Sequence, residues 1–469
     1  MSQPFHRDTI FHLEPCNEAA KAAVQHPDNA PFLSSCPSCQ LSLEIGYHVS
    51  SRPRGGQIIA KLGRGSDADL ILLDKNVSQV HFAFEVHPIS KAIILRVHPH
   101  RLRSVMISPP GFREDQHIRQ RVLAPQVNCD IYIKTGERSK MHFNVHWPRN
   151  DESTSQGVLQ GFQAAEERAI NPRWVRTADE ADSDLQSWYK TRLKNPELEN
   201  VVRYALAREK IGEGGFGTVL KAIDLDSGHF IAVKYFKIEN ERDVAKIHRE
   251  IQTMQTLKHP QIIEFLGYAG FDENEKIAVP PQLFMPLRSG SVRDLLPLAP
   301  GSENSICRRL TGQMLSALDY LSSRDLCHRD VKPANILYHI GQTSEDYRFQ
   351  LADFGLAKHS DLAVMECGTR IFAAPELHPD YGLTKYRQSP KMDVWSLFVT
   401  IASVYLFAKF DERKLAQGPY SQIVAFVQES LEPLSGMKEM ACLNPEERAS
   451  AAQMLIKHFG GKGLTTNRS

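Results

Sequence analysis

Cysteine is scarce and dispersed: eight thiols in 469 residues, at Cys16, Cys36, Cys39, Cys129, Cys307, Cys327, Cys367 and Cys442. That density excludes a small disulfide-stapled scaffold and predicts reduced thiols in a reducing compartment. Cys36 and Cys39 form a C-x-x-C pair, but a structural zinc site needs four ligands and no second pair follows at usable spacing. Long apolar runs are missing as well. The longest, residues 397–408, is broken by Thr400, Ser403 and Tyr405 and falls short of the roughly 18 residues a spanning helix needs. It predicts a buried helix, with no membrane as partner. The N-terminus has no basic cluster, apolar run and small-residue cleavage site in succession, so secretion is not expected. Nor does either charge dominate: 56 Lys and Arg face 55 Asp and Glu. This removes the general electrostatic reason to expect nucleic acid, so an anionic ligand must be held by local groups. A nuclear or cytoplasmic location is the expectation.

What is present is length. A single core stops growing near roughly 250–300 residues, so 469 residues predict two domains and their connections. No repeat of fixed period and no long low-complexity tract appears. After an N-terminal extension (1–45), residues 46–148 read as short strands between turns, with strand-like stretches at 57–62, 70–72, 81–86, 92–97, 130–133 and 142–145. An all-β sandwich suits that spacing. Residues 149–202, rich in Asp, Glu, Ser and Gln, read as a linker with a short helix near 159–169. From 203 to 460 a glycine-rich hairpin and two further strands lead into helix-periodic segments at 306–323, 393–407 and 420–430, before a tail at 461–469. The expected class is α+β, bilobal, with a small strand-rich lobe followed by a larger helical one.

Chemistry concentrates in that second part. Gly212, Glu213, Gly214, Gly215, Phe216, Gly217, Thr218 and Val219 lie between two candidate strands. Glycines let the backbone approach phosphate oxygens and offer its N–H groups. Taken alone, G-x-G-x-x-G is a weak signal, but the element after it is a strand, which disfavours a dinucleotide fold. Ile231-Ala232-Val233-Lys234 ends an apolar strand in an ammonium, and Glu250 on a following helical segment is a carboxylate able to pair with it. In isolation, each would be read as an ordinary surface charge. The strongest signal is His328-Arg329-Asp330-Val331-Lys332-Pro333-Ala334-Asn335, with Asp353-Phe354-Gly355 downstream. Phosphoryl transfer needs an oriented acceptor hydroxyl, bound magnesium and neutralised developing charge. Asp330 can take the hydroxyl proton and Lys332 can neutralise the transferring group. Asn335 and Asp353 offer the oxygen ligands that Mg2+ prefers.

In this combination and order the motifs resemble the eukaryotic protein kinase family, over about residues 204–458. The likeness continues in Gly368-Thr369, Ala374-Pro375-Glu376, Asp393-Val394-Trp395-Ser396 and Arg448. It implies ATP and Mg2+ as cofactors, Lys234 and Glu250 as a phosphate-aiming pair, and Val219, Ala232 and Leu337 around adenine. Met285 would be the gatekeeper, and Leu287 would lie in a hinge at 286–288. Glu376 would pair with Arg448, and Asp393 would hold the catalytic loop. Lys332 after Asp330, with Thr369 ahead of the substrate-binding loop, resembles serine/threonine rather than tyrosine kinases, so protein serine and threonine residues are the implied substrates. Two departures stand out. Phe398 occupies a usual glycine position, and Met365 stands where many relatives carry an activating phosphothreonine. Glu366 beside it is a partial charge substitute near Arg329, and Ser360 and Thr369 are the activation-segment hydroxyls. This argues against activation by loop phosphorylation.

In the first part, Leu62-Gly63-Arg64-Gly65-Ser66 and Val77-Ser78-Gln79-Val80-His81-Phe82 resemble the forkhead-associated (FHA) domain, a sandwich that reads phosphothreonine peptides. Arg64 would offer a planar donor fork and Ser78 a hydroxyl, with Lys75 and Asn76 nearby and His81 bracing the loop. The family's Asn-Gly-Thr element is replaced by Ser104-Val105-Met106. A kinase behind such a module resembles the DNA-damage checkpoint kinases, and implies a phosphothreonine-containing protein as partner. The rival reading is a pseudokinase scaffold that binds phosphorylated partners. Retention of Lys234, Glu250, Asp330, Asn335 and Asp353 favours the enzyme.

Overall fold

The computed structural model describes residues 5–35, 41–49, 57–98, 104–108, 118–124, 130–136, 139–148, 151–169, 204–214, 217–271, 277–299, 301–341, 346–359, 369–378 and 388–465. Packing divides the chain into two units, Met1–Glu209 with Lys221–Ile231, and Lys210–Leu220 with Ala232–Ser469.

The first unit is built on two sheets. One runs in the order β2-β3-β1-β11-β10-β8, made from β1 (Thr9–Pro15), β2 (Leu33–Ser35), β3 (Leu41–Gly46), β8 (Val105–Ser108), β10 (Asp130–Lys134) and β11 (Lys140–His146). The other runs β5-β4-β6-β7-β9, from β4 (Ile58–Gly63), β5 (Leu70–Ile71), β6 (Phe82–Val86), β7 (Ile93–Val97) and β9 (Gln120–Leu123). All pairings are antiparallel except β4 with β5. Side chains alternate across a strand, so each sheet turns one apolar row inward. Phe11 of the first sheet meets Phe84 of the second edge-on at 5.0 Å within one continuous core.

Two boundaries differ from expectation. The stretch set apart as an N-terminal extension contributes β1, β2 and β3 to the six-stranded sheet. Its helix α1 (Glu18–Val24) buries Ala20, Ala23 and Val24. In the expected linker, the helix is longer than the short one predicted. This helix, α2 (Asp151–Ala169), lays Val158 and Ala165 into the sandwich core, and Gly161 lies so close to the Tyr47 ring that a Cβ there would sit 2.3 Å from it.

The strands β12 (Tyr204–Gly214), β13 (Gly217–Asp224), β14 (Phe230–Phe236), β15 (Gly267–Phe271) and β16 (Ile277–Pro286) form a sheet in the order β12-β13-β14-β16-β15. In helix α3 (Glu241–Thr256), Ile247, Ile251 and Met254 recur at helical spacing and are buried, and Glu250 shares that inward face.

The helical part centres on α4 (Glu303–Ser322) and α5 (Lys391–Tyr405). Residues 392–404 of α5 are all buried, as expected of a helix apolar on every side, and Phe398 is fully enclosed within this core. Around the pair pack α6 (Glu412–Gln417), α7 (Tyr420–Glu429) and α8 (Ala451–Phe459). Against α4 lies the hairpin of β19 (Ile336–Ile340) and β20 (Tyr347–Leu351), whose first strand also pairs with β17 (Gly290–Ser291), while β18 (Leu326–Cys327) pairs with β21 (Lys358–His359). No helix among the described residues is long and apolar enough to cross a membrane.

Candidate active site

The site is assembled from the loop after β18, the loop after β20 and the segment at Thr369, set against β14 and α3. The loop after β18 is fixed by its own bonds. Asp393, buried at the start of α5, accepts the N–H groups of His328 at 2.7 Å and Arg329 at 2.8 Å. Burial pushes its carboxyl up, against the opposing pull of His328 and those N–H groups. Arg329 adopts a left-handed φ of 71°, a bend that those bonds hold in place. Pro333 then opens a short 3₁₀ turn, Pro333–Asn335, on the way to β19.

Asp330 lies at the convergence. Its Oδ1 accepts the Thr369 N–H at 2.9 Å and Oγ1 at 3.0 Å. Its Oδ2 accepts the Lys332 ammonium at 2.7 Å and the Asn335 amide at 2.8 Å. The Asn335 nitrogen also donates to the Asp330 carbonyl, which leaves its amide oxygen available as a ligand. Lys332 bridges to Thr369 Oγ1 at 2.7 Å.

A second cluster forms where β14, α3 and the loop after β20 meet. The Lys234 ammonium donates to Glu250 Oε1 at 2.6 Å and to Asp353 Oδ1 at 2.8 Å. Burial works to lower the Lys234 pKa, but the two carboxylates outweigh it and the ammonium is held well above its usual range. For Asp353, burial would raise the carboxyl, and Lys234 overrides it to set the pKa below the ordinary value. Asp353 is itself left-handed, with φ 65°. Both charged forms are therefore the resident ones.

The remaining predicted residues surround these clusters. Ala232 and Met285 are buried in the large apolar cluster, and Val219, Leu287 and Leu337 pack on it. At Gly217, φ is 148° and a Cβ would lie 2.0 Å from the Tyr235 carbonyl, so only glycine fits. Gly212 adjoins Val219, nothing among the described residues stands within 4 Å of a Cβ at Gly214, and Glu213 is exposed and paired with Lys210. Gly215, Phe216, Ser360, Met365 and Glu366 lie outside the described residues.

A family model for the protein kinase domain matches residues 206–459, more than half of the chain. The chain belongs to the protein kinase family. Its kinase domain is of the serine/threonine class, with ATP and Mg2+ as cofactors. The similar proteins include Calcium-dependent protein kinase 5 of Plasmodium berghei, 31% identical over 209 residues that make up 44% of this chain and 34% of that protein. Mitogen-activated protein kinase kinase kinase 2 of Arabidopsis thaliana is 32% identical over 205 residues, covering 41% and 29%. Sucrose non-fermenting protein kinase 1 of Fusarium virguliforme is 30% identical over 287 residues, covering 58% and 37%. The chain thus spans about a third of the length of these curated relatives.

The donor set of the kinase fits its cofactors. A carboxylate and an amide oxygen, from Asp353 and Asn335, are the hard ligands magnesium takes, and the Gly217 backbone leaves no room for a side chain. Glu376 and Arg448, both fully buried, form a two-pronged pair at 2.7 and 2.9 Å that braces the helical part. Sequence reading had no signal for Gln350, a buried amide that accepts from Arg288 at 2.6 Å and donates to the Pro260 carbonyl at 2.9 Å. It anchors Arg288, in the segment expected to be the hinge, from the β20 side.

In the first unit, Arg64 and Lys75 are exposed and Ser78 is half-buried, with the Arg64 N–H bonded to the Ser78 carbonyl at 2.9 Å. His81 is fully buried: its Nδ1 accepts the Ser78 N–H at 3.1 Å, and its Nε2 lies 2.9 Å from Ser104 Oγ. Asn76 donates its side-chain amide to the Thr135 carbonyl.

Proposed function

We propose that this protein transfers the γ-phosphate of ATP to serine and threonine hydroxyls of protein substrates. The observation that carries the reading is the convergence of Lys332, Asn335 and Thr369 on one carboxylate, Asp330. Bound ATP with Mg2+ supplies the phosphoryl group and the charge that holds it. Asp330, an acceptor when ionised, takes a hydrogen bond from the acceptor hydroxyl and then its proton. Lys332 sits within reach of the same carboxylate and balances negative charge as it develops. Lys234, kept protonated between Glu250 and Asp353, offers a fixed positive charge to the nucleotide phosphates. The test is transfer of label from γ-labelled ATP to a generic basic protein, followed by identification of the labelled side chains. Label on serine and threonine supports the proposal; label on tyrosine alone, or none with Mg2+ present, defeats it. The second outcome would favour the scaffold reading.

The sandwich is read as a phosphothreonine-peptide reader that recruits or regulates the kinase, as in nuclear checkpoint signalling. Support comes from the buried His81, which ties the Ser78 loop to Ser104, and from the exposed Arg64 joined to that loop. Titration of a phosphothreonine peptide is expected to show binding that Arg64→Ala weakens by about tenfold or more, the scale of a lost charge-assisted hydrogen bond. Equal affinity for the unphosphorylated peptide would sink this reading.

A further inference from the structure

Away from both sites, three strands of the first unit place a thiol, an imidazole and a carboxylate together. Cys16 directly follows β1, and its N–H donates to the His142 carbonyl on β11 at 2.8 Å. His142 pairs in register with Tyr132 on β10, and Asp130 pairs with Asn144. Side chains alternate along strands, so Cys16, His142, Tyr132, Asp130 and Asn144 share one sheet face. The His142 Nε2 lies 3.0 Å from Asp130 Oδ1, and one ligand atom from each of Cys16, Asp130 and His142 falls within 4.8 Å of the others.

The arrangement is held before any ligand arrives. The His142 ring stacks on Tyr132 at 4.3 Å, and the Asn144 amide donates to Asp130 at 3.2 Å. Asn17 donates to the Lys140 carbonyl at 2.8 Å and accepts the His142 N–H at 3.3 Å, so the chain after Cys16 is tied to β11 at Lys140 and His142. All three groups remain partly open to solvent, which leaves an entry path.

We propose that Cys16, Asp130 and His142 bind one zinc ion, with water in the fourth position. A sulfur, nitrogen and oxygen set suits this borderline-soft cation and disfavours Mg2+ and Ca2+, which take oxygen. Binding replaces the thiol proton by the metal and releases that proton to solvent.

The site is tested on the reduced full-length protein with Co2+ as the spectroscopic probe. One equivalent of Co2+ is expected to give a thiolate-to-metal charge-transfer band and the visible bands of a tetrahedral ion, both abolished by excess Zn2+. Cys16→Ser is expected to remove the charge-transfer band, and Asp130→Asn to weaken cobalt binding by about tenfold or more while preserving shape. No band in the wild type overturns the proposal. So does a band that persists in Cys16→Ser and vanishes in Cys36→Ser/Cys39→Ser.

Discussion

Asp330 and Arg448 illustrate opposite uses of a buried charge. Asp330 accepts from four donors, one of them a hydroxyl, and holds its partners around the point where, in the proposed transfer, a proton moves. Arg448 is spent on structure: its guanidinium meets Glu376 in two parallel bonds and fills its other donors with the carbonyls of Lys391, Cys442 and Leu443. Removing one partner of such a pair strands the other charge in the core. Glu376→Gln is therefore expected to lower unfolding free energy by about 3–5 kcal/mol in a urea titration. A change below about 1 kcal/mol would show the pair to be dispensable. At Asp353 the effect belongs to the cofactor: Asp353→Asn is expected to raise the Mg2+ concentration needed for half-maximal activity, and an unchanged magnesium titration would remove Asp353 from the metal site.

At the scale of elements, β13 depends on Gly217. A branched side chain there meets the Tyr235 carbonyl and must push β13 away from β14. Gly217→Val is expected to weaken nucleotide binding at least about tenfold, read by titration with a fluorescent ATP analogue; unaltered affinity would mean that this backbone does not shape the nucleotide site. How far elements were legible depended on how cleanly their residues alternate. The six strand-like stretches expected between 57 and 145 coincide with β4, β5, β6, β7, β10 and β11 to within a few residues. The three long helical segments coincide with α4, α5 and α7 in the same way. β1 and β3 escaped because nearly every residue in each is buried on both faces, so neither alternates, and each buries a polar side chain, His12 and Glu44, that reads as surface. β2 and β8 are too short to show a period. α2 is read too short because its apolar stripe is thin: Val158, Ala165 and a glycine that works by being small. The site was legible for the opposite reason. Its residues are bunched in two short motifs whose order carries the meaning, whereas Gln350 and the Cys16, Asp130 and His142 cluster are assembled from positions that only the folded sheets bring together.

For the molecule as a whole, acid acts on the first unit through buried polar groups. Burial holds His12 down at about 4, and burial with the neighbouring His229 does the same to His87. Each stays neutral when folded while the unfolded ring takes a proton below its ordinary pKa near 6.5. Their stabilisation is thus complete above pH 6.5 and lost as pH falls towards 4. Burial would raise Glu44, but hydrogen bonds from His48, Thr9 and Ser34 and the His6 N–H hold it at about 2. Its contribution is present above pH 4.5 and fades as pH falls towards 2. The melting temperature of the first unit is expected to drop between pH 6.5 and 4, with a shallower slope in His12→Gln; identical slopes would acquit His12.

The proposed transfer turns on Asp330 handling the proton of the acceptor hydroxyl. Initial rates of phosphate transfer from γ-labelled ATP to a basic protein substrate, compared between wild type and Asp330→Ala at matched ATP and Mg2+, test it most directly. A fall of about a hundredfold or more, with ATP still bound, is the result the geometry predicts. Turnover within a few-fold of wild type would contradict it.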